Sequence, residues 1–264
     1  MSVPTPSVSV VIPTRNGGAL LLETLTSVFA QSHPAHEVLV VDDGSTDDTG
    51  RLLAPFEAAG RLRVLAQAGA GTAAARNTGV RHATGDFLAL LDHDDVWPAD
   101  KLEWQVDQLS SHPDAVLVYG YMESFGLEQS HRWPDTIGPA GDVRRAFRRK
   151  NWIRSPGQTL IRTDAVRAAG GFDAAVAGAD DWDLYLRLAD QGSFAYAHRL
   201  ALRYRVHRGN QSRQAWTLFR RAWQVHNRHA GAVPPHAPRA AVSWLLCRAT
   251  LVHMLARDLT SRLR

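Results

Sequence analysis

Short apolar runs, most of them β-branched, punctuate the first half of this 264-residue chain, and between them apolar positions recur three and four apart. Such runs mark buried strands, and the three-and-four spacing marks amphipathic helices. Val8 to Ile12 predicts a first strand, and Leu21, Leu25 and Val28 predict the helix after it. Val38 to Val41 predicts a second strand, followed by Ser45, Thr46 and Asp47 as candidate helix caps. Arg63 to Leu65 and Phe87 to Leu91 predict two more strands around an Ala-rich helix over 73–83. Past Pro98, Leu102, Val106 and Leu109 line a further helix. This alternation predicts an α/β fold, a mostly parallel sheet flanked by helices. The second half is less regular, with strands expected at 116–119, 159–161 and 202–206 and helices at 142–149 and 181–189. From Arg213 the pattern turns helical, broken at Val233, Pro234 and Pro235.

Polar residues follow the strands rather than precede them: Thr14, Arg15 and Asn16 after the first, Asp42 and Asp43 after the second, Asp92, Asp94 and Asp95 after the fourth. In open α/β sheets that carboxyl edge is where ligands bind. The fourth strand runs directly into its acids, FLALLDHDDVWP, and neighbouring carboxylates repel one another unless a cation neutralises them. A hard divalent ion with oxygen ligands, Mg²⁺ or Mn²⁺, suits them and leaves coordination positions for phosphate. Spacing alone also allows a solvated turn in which Asp95 or Asp100 caps the next helix.

Charge refines this picture. The chain carries +4, but residues 213–264 hold nine Arg and a single acid, Asp258, so the tail is +8 and the remaining 212 residues are −4. The basic character belongs to the tail, which argues against a nucleic-acid-binding body. One cysteine, Cys247, excludes an intramolecular disulfide framework and a multi-cysteine zinc site. The start, MSVPTPSVSVVIPT, lacks a secretory pattern, and no stretch approaches the ~20 apolar residues of a membrane span. A cytoplasmic protein is expected. The Arg-rich tail is either a membrane-surface helix or a helical pair packed on the domain.

Four motifs occur in order: VDDGSTDDT, RNTG at 76–79, LLDHDDVWPADKL, and GGFD with DDWDLYLRLA over 170–189. Together they closely resemble the family 2 glycosyltransferases over residues 7 to about 212. The resemblance implies the GT-A fold, with a nucleotide-binding half over about 1–115, an acceptor half over about 116–212, and a helical extension over 213–264. It implies inverting transfer of a sugar from a nucleoside diphosphate, most often UDP in the family, to a hydroxyl acceptor, with Mn²⁺ or Mg²⁺. By position, Pro13, Thr14 and Arg15 match the nucleotide loop, Asp43 the residue on the base, and Arg76 the basic residue near the diphosphate. Asp92, His93 and Asp94 match the D-x-D element, with Asp92 toward the ribose and Asp94 on the metal. Asp181 matches the general base, and Asp180 stands where the family usually has Glu. His207, in YRVHRGNQS, matches a histidine that approaches the diphosphate or completes the metal shell. Trp152 and Gln158 fall in the stretch that lines the acceptor side, and Trp182 is a candidate for stacking on a sugar.

Three other readings stay open on sequence. GAGTAA at 69–74 fits a dinucleotide-binding loop and an oxidoreductase, but it follows the third strand and leaves Asp94 and Asp181 without a task. A sugar-1-phosphate nucleotidyltransferase would need a glycine-rich loop where this chain has IPTRNGG. A catalytically inactive sugar-nucleotide-binding module is the third.

Overall fold

The computed structural model describes residues 5–126, 131–207 and 215–229. Strands β1 (Val8–Thr14), β2 (Glu37–Asp42), β3 (Arg63–Ala66) and β4 (Phe87–Leu90) alternate with helices α1 (Gly18–Phe29), α2 (Thr49–Ala58) and α3 (Thr72–His82). Helix α4 (Lys101–Ser111) leads to a long strand, β5 (Ala115–Gly126), and to short β6 (Arg132–Trp133). Then come α5 (Arg144–Arg149), β7 (Thr159–Arg162), α6 (Thr163–Ala168), α7 (Asp180–Ala189), β8 (Ser193–Val206) and α8 (Ala215–His229). All eight strands form one sheet of order β3-β2-β1-β4-β7-β5-β6, with β8 also on β5. Pairing is parallel from β3 through β4 and between β5 and β8; β7 and β6 run antiparallel to their neighbours.

Strands β1, β2 and β4 are largely apolar on both sides because both faces of the sheet are covered there, whereas the edge strand β3 is only half-buried. Val8, Val10 and Ile12 face α1, α2 and α4, while Val11 faces the layer that includes α3, α6 and α7. Every residue of β1 is buried. Helix α3 comes close to β1 through Gly79, where a methyl group would lie inside the Val11 side chain. The expected helix 142–149 begins two residues later, because Asp142 bonds the Arg144 backbone amide outside the helix. Asp47 accepts from the amide and hydroxyl of Thr49 at 3.0 and 2.6 Å at the mouth of α2, whereas Ser45 and Thr46 bond to Asn16 instead.

Two features of the second half exceed the sequence reading. Strands β5 and β8 run 12 and 14 residues, because they pair along their whole length and carry polar residues on an outer surface. Helix α8 packs on α7, with Val225 fully buried in the same core as Leu184 and Tyr185. The rest of the Arg-rich tail, including Trp244, Cys247 and Leu251, lies outside the described residues. Among the described residues no helix is long and apolar enough to cross a membrane.

The candidate active site

Chain order places β2 and β3 on one side of β1 and β4 on the other, so the connections diverge at the β1/β4 boundary. That divergence opens a crevice beyond the carboxyl ends of the strands. Thr14 lies level with Asp42 in the β1/β2 register, and Leu91 donates to Val11 O, so the loops after β1, β2 and β4 share one rim. Asn16, in the left-handed region at φ 54°, ties the first two together by accepting from the Thr46 amide at 2.8 Å and donating to Ser45 Oγ at 2.9 Å.

The three acids after β4 have three different environments, which answers how they coexist. Asp92 receives a hydrogen bond from Arg76 Nη2 at 2.8 Å. Asp94 Oδ2 lies 2.8 Å from His207 Nε2. Asp95 is fully buried and accepts from the Arg205 amide at 2.9 Å, while its second oxygen has no partner among the described residues. Burial, and then Asp94 and Asp92, push its carboxyl well above the usual range. Asp95 thus works as an anchor: Val96 and Arg203 exchange backbone bonds, Thr24 Oγ1 donates to the His93 and Asp95 carbonyls, and Arg205 Nε donates to the Asp94 carbonyl. This stitching carries the end of β8, and with it His207, to Asp94.

Arg76 is the hub of the crevice. It is 7% exposed and bonds Asp180 at 3.0 Å as well as Asp92. Burial alone would pull its pKa down, but Asp92 and Asp180 outweigh it and hold the guanidinium charged. The rest of RNTG supports that placement. Asn77 accepts from the Phe172 amide at 2.8 Å and donates to its carbonyl at 2.7 Å, Thr78 donates to Gln67 Oε1 at 2.8 Å, and Gly79 admits Val11. The motif therefore couples the first half of the chain to the GGFD turn of the second.

Asp180 and Asp181 open α7, where helix amides favour negative charge. Asp180 also accepts from the Gly178 amide at 2.8 Å, and Asp181 Oδ1 accepts from the Trp182 amide at 2.7 Å. Asp181 keeps some solvent contact, yet protein surrounds its carboxyl. Burial first and Asp180 second raise it to about 7, against the lowering pull of Arg76. Tyr185, one turn along α7, is fully buried with its hydroxyl unpartnered among the described residues. Tyr185 does not stand out in the sequence, and the anchoring roles of Asn77 and Asp95 within their motifs rest on burial and on partners far along the chain.

The remaining expected residues divide between the crevice and the scaffold. Pro13 and Thr14 are buried at the end of β1, and Arg15 is exposed beside Gly69. Asp43 is 4% exposed and bonds Gln67 Nε2 at 2.6 Å and the amides of Ala70 and Gly71 at 2.7 and 2.8 Å. It fixes the GAGTAA loop that leads into α3. Two acceptor-side expectations are corrected. Gln158 is fully buried, and its amide bonds the Arg154 and Ser155 amides and the Gly120 and Trp133 carbonyls, leaving nothing for a ligand. Trp182 is a core residue whose Nε1 donates to Phe147 O at 2.9 Å. Trp152 is half-buried beside that core. Among the described residues no three His, Cys, Asp or Glu side chains converge as a metal shell; Asp94 and His207 are a pair.

A doubly covered α/β sheet with an acidic crevice at its switch point defines the class of protein. The Glycosyl transferase family 2 profile matches residues 9–170, and the chain belongs to that family. The putative teichuronic acid biosynthesis glycosyltransferase TuaG of Bacillus subtilis is 39% identical over 118 residues, 44% of this chain and 47% of that protein. Among solved structures, S. aureus TarS 1-349 in complex with UDP-GlcNAc superposes with a TM-score of 0.71 at 17% identity, over 96% of this chain and 71% of that one. The mannosyltransferase PcManGT of Pyrobaculum calidifontis, in complex with GDP-Man and Mn²⁺, gives 0.62 at 21% identity, over 97% and 88%. These likenesses establish the GT-A fold. The chain spans 16 to 47% of the length of the first curated relatives it matches.

Proposed function

We infer that this chain is a metal-dependent, inverting glycosyltransferase that moves a sugar from a nucleoside diphosphate to a hydroxyl acceptor. The observation that carries the reading is the Arg76 bridge: one buried cation joins Asp92, the first acid of the D-x-D element, to Asp180, next to the carboxyl with the raised pKa. Donor and acceptor functions are thereby held on opposite walls of one crevice. In the reaction, Asp181 takes the proton of the acceptor hydroxyl as that oxygen bonds the anomeric carbon, and the bond from that carbon to the diphosphate breaks. A carboxylate with a pKa near 7 suits this step, because its basicity matches neutral pH.

Asp94 and His207 fit a divalent cation by chemistry and by spacing. Carboxylate oxygen and imidazole nitrogen both suit Mn²⁺, and Asp94 Oδ2 and His207 Nε2, 2.8 Å apart, would hold it together. When bound, the ion neutralises charge on the departing diphosphate. The nucleotides in the TarS and PcManGT complexes, UDP-GlcNAc and GDP-Man, support a nucleotide-sugar donor, and the Mn²⁺ of PcManGT supports the metal. Pro13, Thr14, Arg15, Asp43 and His93 are assigned to the nucleotide wall.

Calorimetric titration with UDP, GDP, dTDP and CDP, each with and without Mn²⁺, tests the reading. Binding of one nucleotide that strengthens with Mn²⁺ is expected. Silence of all four in both conditions would overturn it, and tight NAD binding unaffected by EDTA would favour the oxidoreductase.

A further inference from the structure

The segment 144–154, RRAFRRKNWIR, contains six cations and no acid. Helix α5 opens it, pinned to the core by fully buried Phe147 with Arg144, Arg145, Arg148 and Arg149 all exposed. Arg144 is bonded to Asp142, and Arg148 lies 3.9 Å from Asp190. Arg145, Arg149 and Lys150 make no ion pair among the described residues. Lys150 is the informative one. Its ammonium sits 4.2 Å from the centre of the Trp133 ring and 4.4 Å from that of Trp152, and the Arg154 guanidinium covers Trp133 at 3.7 Å. Partial burial lowers the Lys150 pKa, with the Asp135 charge working against it.

Among the described residues no carboxylate pairs with this half-buried ammonium, and an arriving anion would supply that partner. The indoles themselves are flat apolar plates of the kind that stack on sugar rings. The location suits an incoming substrate. Trp182, next to Asp181, bonds the carbonyl of Phe147 in α5, and Trp152 packs on the same core. On the other side, Gly157 packs against Leu91, immediately before Asp92, and its carbonyl accepts from Trp97 Nε1 at 2.9 Å. These contacts tie the basic segment to α7, the helix that carries Asp181.

We propose that Lys150, Trp133, Trp152 and the arginines of α5 bind the acceptor, and that this acceptor is an anionic saccharide bearing carboxylate or phosphate groups. Which side of the crevice receives the acceptor rests on the transferase reading; the preference for an anion rests on the segment itself. A membrane-inserting face is a poorer match, because Ile137 is the one large hydrophobic residue exposed among the described residues.

The test is a titration of the full chain with trigalacturonate and with its fully methyl-esterified form, in which each carboxylate becomes a neutral ester, followed by tryptophan fluorescence with the donor site filled by Mn²⁺ and the nucleotide that binds. The carboxylate form is expected to bind at least about tenfold tighter, a difference of about 1.4 kcal/mol. Lys150→Met, which keeps an apolar stem over the indoles, is expected to remove most of that preference. Arg145→Gln with Arg149→Gln, both on the surface, should weaken it further and serves if Lys150→Met fails to fold. Equal binding of the two oligosaccharides, or a preference that survives both variants, overturns the proposal. So does binding confined to phosphatidylglycerol vesicles, which would assign the face to a membrane. If none of UDP, GDP, dTDP and CDP binds, with or without Mn²⁺, the transferase reading falls, and the oligosaccharide pair still decides the anion preference.

Discussion

Asp181 is raised because protein surrounds it and Asp180 adjoins it, so its usefulness as a base depends on pH in a defined direction. As pH falls through about 7 the carboxyl takes up a proton and cannot accept another, so the transfer rate should fall on that limb. A rate profile whose acid limb lies near 4 would show that Asp181 is not the group. Asp181→Asn should lower turnover by about 10² to 10⁴ while nucleotide affinity stays close to the parent. Asp94→Ala should act on the other wall: Mn²⁺ should no longer strengthen nucleotide binding in calorimetry, whereas metal-free affinity changes little. These residues are visible in the sequence because each sits in a short motif at a strand end or helix start. Gln158 shows the limit. Its polarity suggests a ligand contact, but the pattern of residues does not reveal that four backbone groups already use its amide.

Between elements, the packing of α8 on α7 turns on Asp183. This carboxylate is fully buried and bonds Arg187 Nε at 3.0 Å, His229 at 2.9 Å and Arg228 at 3.1 Å. Burial alone would raise it, but His229 and Arg187 hold it down at about 2. Its contribution to stability is therefore complete above the ordinary carboxylate value near 4 and is lost as pH falls from there toward 2. Asp183→Asn should cost about 2–4 kcal/mol at pH 7 and flatten that acid loss, as urea titrations at pH 7, 4 and 3 would show. Gly79→Ala tests the α3/β1 approach, since the methyl must displace Val11 from a closed core. A loss of about 1–3 kcal/mol is expected in the same assay, and unchanged stability would mean that the two elements separate at little cost.

For the molecule as a whole, the α/β class and the strand-end crevice are legible because period-two and period-four patterns survive in single segments. The long β5/β8 pair and the docking of α8 are not legible in that way. Both depend on partners dozens of residues distant, and the polar residues that decorate them look like loop. Two truncations examine the consequence. Removing residues 213–264 deletes Val225 together with Arg228 and His229, two of the three partners of Asp183, and should melt several degrees lower than removing residues 230–264 alone. Flotation on phosphatidylglycerol vesicles, with and without residues 230–264, examines the membrane role expected of the basic tail. Equal flotation of the two forms would remove that role from the tail.

Asp94 and His207 are 113 positions apart in the chain, yet they meet through a single hydrogen bond that Asp95 and Arg205 make possible. During synthesis, therefore, the D-x-D turn and its strand are complete long before the imidazole has emerged. A spectroscopic probe of that histidine would report the joining of β8 to the first half of the sheet rather than the arrival of the acids themselves.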